Sequence, residues 1–152
     1  MKFPTIATVA LFLGAATFAA AAHEGEHFSA GVPGNPKKPA RTVTVIMSDD
    51  YGMKFTPDHL DVKKGEQVHF IIQNKGALKH EFMLASVADN DKHAKLMQKY
   101  PDMEHDDPNA KSVDPGKSEE ILWRFSKGGT FEFACLIPGH REAGMHGTVT
   151  VK

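Results

Sequence analysis

Apolar positions alternate with polar ones over most of the chain beyond residue 41, and the alternation has the period of a strand. Thr42-Val-Thr-Val-Ile-Met47 is β-branched, Leu60 and Val62 alternate up to the turn Lys63-Lys-Gly-Glu66, and Gln67-Val-His-Phe-Ile-Ile-Gln73 is a strong strand closed by Asn74-Lys-Gly76. Phe82-Met-Leu-Ala85 predicts a short strand and Ser118 to Phe125 a longer one. Ser126-Lys-Gly-Gly129 then turns into Thr130-Phe-Glu-Phe-Ala-Cys135, and His146-Gly-Thr-Val-Thr-Val-Lys152 closes the chain. Short strands with regular turn signals predict an all-β sandwich or barrel. One segment breaks the period: an Asp-rich start and Pro101 bracket a helix expected over about 89–100.

Before the first strand the pattern changes twice. Residues 23–41 are rich in His, Gly, Pro and Lys with almost no apolar periodicity, which predicts a flexible arm. Ahead of it, Met1-Lys2, the apolar Thr5 to Ala19 and the small residues Ala20-Ala-Ala22 have the form of a secretory signal peptide over 1–22. The apolar stretch is short for a membrane anchor and runs straight into His23-Glu-Gly-Glu-His27. The expected domains are therefore a signal peptide, a histidine-bearing arm over 23–41 and a β domain over 42–152, in a periplasmic protein without an anchor after cleavage.

Charge excludes one class of partner. Removing Lys2 from the 18 basic side chains leaves 17 against 19 acidic ones. So even a balance, with no long basic run, argues against nucleic acid.

The chemistry lies in the single cysteine, Cys135. In an exported chain one cysteine cannot form an internal disulfide, so it is inert in the core, a free thiol or a metal ligand. Its neighbours favour the last, because Cys135, His140 and Met145 share one loop and a thiolate, an imidazole and a thioether form a soft donor set that suits copper. A second imidazole is needed from elsewhere. His80 is best placed, between the turn at Gly76 and the strand at Phe82, whereas His69 lies inside a strand and His59 begins one.

With His80, Cys135-x4-His140-x4-Met145 and the closing Gly144-Met-His-Gly-Thr-Val-Thr-Val151, the chain resembles the cupredoxins over about 42–152. The resemblance implies an antiparallel Greek-key sandwich holding one type 1 copper through His80, Cys135, His140 and an axial Met145. It also implies electron exchange through the His140 edge, with a redox partner docking there. Two departures bear on the site. Glu81 stands where an asparagine often ties the ligand loops together, so a perturbed site with a colour nearer green is expected, and Lys79 stands where azurin has a glycine.

The surplus of histidine and methionine makes the chain look most like the periplasmic cupredoxins of copper tolerance, with a soluble electron shuttle of the azurin or pseudoazurin kind as the alternative. His23 and His27 would form a second copper site on the arm, where cleavage after Ala22 frees an amine beside the His23 imidazole. His93 with Met97, followed by Met103 and His105, is a further candidate, while Met47 and Met53 read as core and loop fillers. Independent catalysis is not expected: multicopper enzymes need further His-x-His pairs and further domains, and a binuclear copper site needs two cysteines. The chain is expected to act as a monomer.

Overall fold

The computed structural model describes residues 28–101, 103 and 107–152. Ten strands and one helix follow in the order β1 (Val32–Pro33), β2 (Arg41–Ser48), β3 (Lys54–Thr56), β4 (His59–Val62), β5 (Gln67–Asn74), β6 (His80–Ala85), α1 (Val87–Lys99), β7 (Ala110–Val113), β8 (Ser118–Arg124), β9 (Gly129–Ala134) and β10 (His146–Val151). They form two five-stranded sheets, ordered β1-β8-β5-β2-β3 and β4-β10-β9-β6-β7. This is the expected β-sandwich. Two pairs, β2 with β5 and β4 with β10, are parallel, because the chain crosses to the other sheet before returning beside its earlier strand.

Alternation along the strands supplies the core between the sheets. Phe70, Ile72, Phe82, Leu84, Ile121, Trp123, Phe133 and Val149 are all essentially inaccessible. Phe82 and Phe133 stack with centroids 5.2 Å apart, and Phe55 meets both edge-on. Gly147 makes room for this stack, since a Cβ there would lie 2.2 Å from the Phe133 ring.

Of the arm predicted over 23–41, residues 28–34 are built into the sandwich and residues 35–41 are exposed. Phe28 packs edge-on against Trp123, Ala30 is buried with its carbonyl accepting from the indole Nε1, and Val32–Pro33 pairs with β8. A few well-placed contacts to one buried aromatic replace the missing periodicity. His23 and His27 lie outside the described residues, as does the whole of the expected signal peptide.

The helix starts slightly earlier than expected, at Val87. Ser86 caps it, its Oγ accepting from the Asp89 amide at 3.2 Å and donating to the Asp89 carboxylate at 2.8 Å. Met97 is buried on the outer face of the second sheet against Ala134 and Leu136, with Met83 and Met103 packed around it. His93 is half-buried on the same helix, and His105 lies outside the described residues. Met47 belongs to the main core and Met53 packs partly against it, in keeping with their sequence context. Among the described residues no helix is long and apolar enough to cross a membrane.

Candidate metal centre

Topology gathers the donors at one end of one sheet. β6 and β9 are antiparallel, so the first residue of β6, His80, lies beside the end of β9, where Cys135 follows. β10 is antiparallel to β9 and begins just after Met145, which brings Met145 opposite Cys135. Period-two alternation then sets Phe82 and Phe133, each two residues from a donor, as the aromatic floor beneath them.

The loop from Cys135 to Met145 closes on itself through its backbone. The amide of Cys135 donates to the Met145 carbonyl at 3.0 Å, that of Met145 to the His140 carbonyl at 3.0 Å, and that of His140 to the Ile137 carbonyl at 3.0 Å. Gly139, at φ +89°, takes the left-handed turn that follows Pro138.

Three donor side chains converge there. The Nδ1 atoms of His80 and His140 are 3.2 Å apart, and Cys135 Sγ is 3.3 Å from His140 Nδ1. The ligand atoms of His80, Cys135 and His140 all lie within 4.8 Å of one another. His80 and Cys135 are fully buried and His140 is half-exposed. Met145 is fully buried in the same core cluster as Cys135. His59 and His69 are elsewhere, beside Asp61 and Glu120 at 3.5 and 2.8 Å.

Burial holds this trio electrically neutral. It lowers the pKa of both imidazoles, with the neighbouring His140 lowering His80 further and Asp49 opposing. Burial also pushes the Cys135 thiol up to about 12, with the Glu81 charge adding to it against amide hydrogen bonds from Glu81 and Ile137. Uncharged imidazoles turn their ring nitrogens toward a buried sulfur, and a soft metal cation is the group that such a set can hold as thiolate.

The decisive likeness is of sequence. Residues 42–152 match the copper-binding proteins of the plastocyanin/azurin family. The chain belongs to that family. Among the relatives of this cupredoxin is the copper-resistant cuproprotein CopI of Rubrivivax gelatinosus, 48% identical over 136 residues that cover 86% of this chain and 81% of the relative. The protein of the same name from Pseudomonas aeruginosa is 34% identical, over 97% of this chain and 94% of its own. The fold is that of auracyanin from Roseiflexus castenholzii, with a TM-score of 0.65 at 21% identity, covering 76% of this chain and 99% of that one. Auracyanin B superposes with a TM-score of 0.62 at 25% identity, over 82% and 98% of the two chains.

Two features of this cupredoxin's site are not legible in its sequence. Asp49, on the turn after β2, lies 3.4 Å from His80 Nε2 and accepts from the amides of Ala77 and Leu78 at 3.0 and 2.7 Å. A Cβ at Gly76 would lie 2.7 Å from this carboxylate and would push it aside. Asp49 thus holds the loop that delivers His80 and sets a negative charge beside its ring. The only sequence signal is an acid at the end of a strand, with nothing to connect it to residue 80. The second feature is at residue 81, where the backbone N–H, not the side chain, reaches the sulfur at 3.3 Å. Glu81 itself is buried.

Proposed function

We propose that this chain is a periplasmic cupredoxin that holds one type 1 copper through His80, Cys135 and His140, with Met145 as weak axial ligand, and contributes to copper tolerance by binding or redox handling of the metal. The observation that carries the reading is the convergence of two neutral imidazoles on one buried sulfur. The copper-resistance names of relatives that share most of this chain's length support the tolerance role. Bound copper would supply a one-electron couple, and a β scaffold that holds its donors still keeps the reorganisation between the two oxidation states small.

The chain's own residues prepare that role. His80, screened from solvent with Asp49 beside its ring, anchors the buried side, while the half-exposed His140, beside Ile137 and Pro138, leaves an edge toward solvent. That edge favours the second reading, a soluble electron-transfer protein whose redox partner docks near His140. In either reading the chain is a binding protein and not an enzyme, acting as a monomer after a signal peptide over 1–22 has been removed. His23 and His27 would provide a second, weaker site for Cu(II).

Copper stoichiometry with an absorption spectrum on the purified mature protein tests the assignment. One tightly held copper and an intense thiolate-to-copper band are expected, and Cys135→Ser abolishes the band; an unchanged spectrum in that variant sinks the site. Deletion in a copper-challenged host separates the two roles, since loss of growth supports tolerance and loss of a respiratory electron flow supports the shuttle.

A further inference from the structure

The residue after the His140 donor is bound to the helical insertion. Arg141 Nη2 lies 2.9 Å from Glu132 Oε2 and 3.1 Å from Oε1, Nε lies 3.3 Å from Oε1, and Nη1 lies 2.6 Å from Asp91 on the first turns of α1. Asn90, fully buried on the same turn, donates from Nδ2 to Glu132 Oε2 at 2.9 Å and to the Glu132 carbonyl at 3.4 Å. Glu132 sits on β9 three residues before Cys135, with its side chain only 10% exposed. One guanidinium therefore joins the strand that ends at the cysteine, the loop that carries the histidine, and the helix.

The energetics give this arrangement a direction. A nearly buried carboxylate is costly unless its charge is matched by a well-oriented partner, and a planar guanidinium fork is the best match available. If the loop swung away at residue 141, Glu132 would be left buried and without its cation. The conformation of His140 is thus tied to the ion pair of Glu132, and α1 holds the other side of the same fork through Asp91.

We propose that Arg141 is a positioning residue for His140 and that α1 is the brace against which it positions the loop. The insertion between β6 and β7 then acts on the metal loop without contributing a donor to it. The proposal rests on the copper reading only for its spectroscopic consequence; the bracing itself is a property of the metal-free chain.

Two measurements on the full mature chain test it, with Arg141→Gln, Arg141→Lys and Asp91→Asn as variants. In the metal-free protein, amide hydrogen exchange at His140, Gly144 and Met145 is expected to speed up about tenfold in Arg141→Gln and less in Asp91→Asn, while the β5 amides stay as they were. In the copper-loaded protein, Arg141→Gln is expected to change the ratio of the two thiolate-to-copper bands and to weaken copper retention roughly tenfold. Asp91→Asn shifts both the same way by less, and the double variant matches Arg141→Gln alone, as members of one network do. Arg141→Lys keeps the charge but not the fork, so it falls between wild type and Arg141→Gln and serves if the latter folds poorly. A lowered Tm with loop exchange and band ratio unchanged overturns the proposal. Absence of any intense band in the wild type would defeat the copper reading instead, and the exchange data would still decide on the brace.

Discussion

The backbone N–H of Glu81 is aimed at the sulfur of Cys135, 3.3 Å away, so the contact survives any change of the residue 81 side chain that keeps the strand. What the side chain contributes is charge, which adds to the upward shift of the thiol. A negative charge beside the site favours Cu(II) over Cu(I). Glu81→Gln is therefore expected to keep the copper and raise the reduction potential, on the order of 50 mV or about one tenfold change in a one-electron equilibrium. Protein-film voltammetry checks the sign, and a lowered potential would count against it.

Met145 is buried, and its backbone amide and carbonyl both serve the loop. Met145→Leu conserves volume, so it should cost less than about 1.5 kcal/mol of stability. A coloured site with a shifted potential is expected. Complete loss of copper would show that the thioether does more than tune.

Asp49 governs the other histidine. Replacing it with alanine removes the carboxylate beside His80 Nε2 and the acceptor for two loop amides, and should weaken copper binding by about 10–100-fold. Competition against a copper chelator measures this. Asp49→Asn, which keeps an acceptor, should lose less.

Gly31 is where the arm crosses β8. Its φ is +145°, and a Cβ at this position would lie 2.2 Å from the Arg124 carbonyl oxygen, which leaves no space for a side chain. Gly31→Ala should destabilise the protein by about 1–3 kcal/mol, read as a fall in Tm, with the copper spectrum intact.

At the helix cap the pH dependence has a defined sign. Hydrogen bonds from the Ser29 hydroxyl, and then from Ser86, hold the Asp89 carboxyl below its ordinary value. A folded-state pKa below the unfolded one gives stability that is present above the unfolded value of about 3.9 and lost as pH falls through the folded value. Acid titration followed by amide exchange in α1 should show this loss below about pH 4, and Asp89→Asn should abolish it.

The strands legible in the sequence are those with a full alternating run: β2, β5, β8, β9 and β10 fall within a residue or two of expectation. β1, β3 and β7 are two to four residues long and escape sequence reading, because none of them has the apolar pair two residues apart that marks β4. The docking of Phe28 on Trp123 is hidden for another reason: it joins positions far apart in the chain, one of them within a stretch of turn-forming composition. His80, Cys135 and His140 are readable because the loop spacing is local and the strand order does the rest. Asp49 and the Glu132–Arg141–Asp91 network are not, since each depends on which side chains meet across elements.

A backbone ring joins Cys135, His140 and Met145 within the candidate metal centre. His80 comes from outside that ring, at the start of a neighbouring strand and on a loop held by Asp49. The polypeptide running from the far end of that strand to the ring leans back on it through Asp91 of α1, which holds Arg141. A thirteen-residue helix carries that contact here. Grafting the ring into another sandwich should therefore need both the strand that carries His80 and a partner for Arg141 in place of α1.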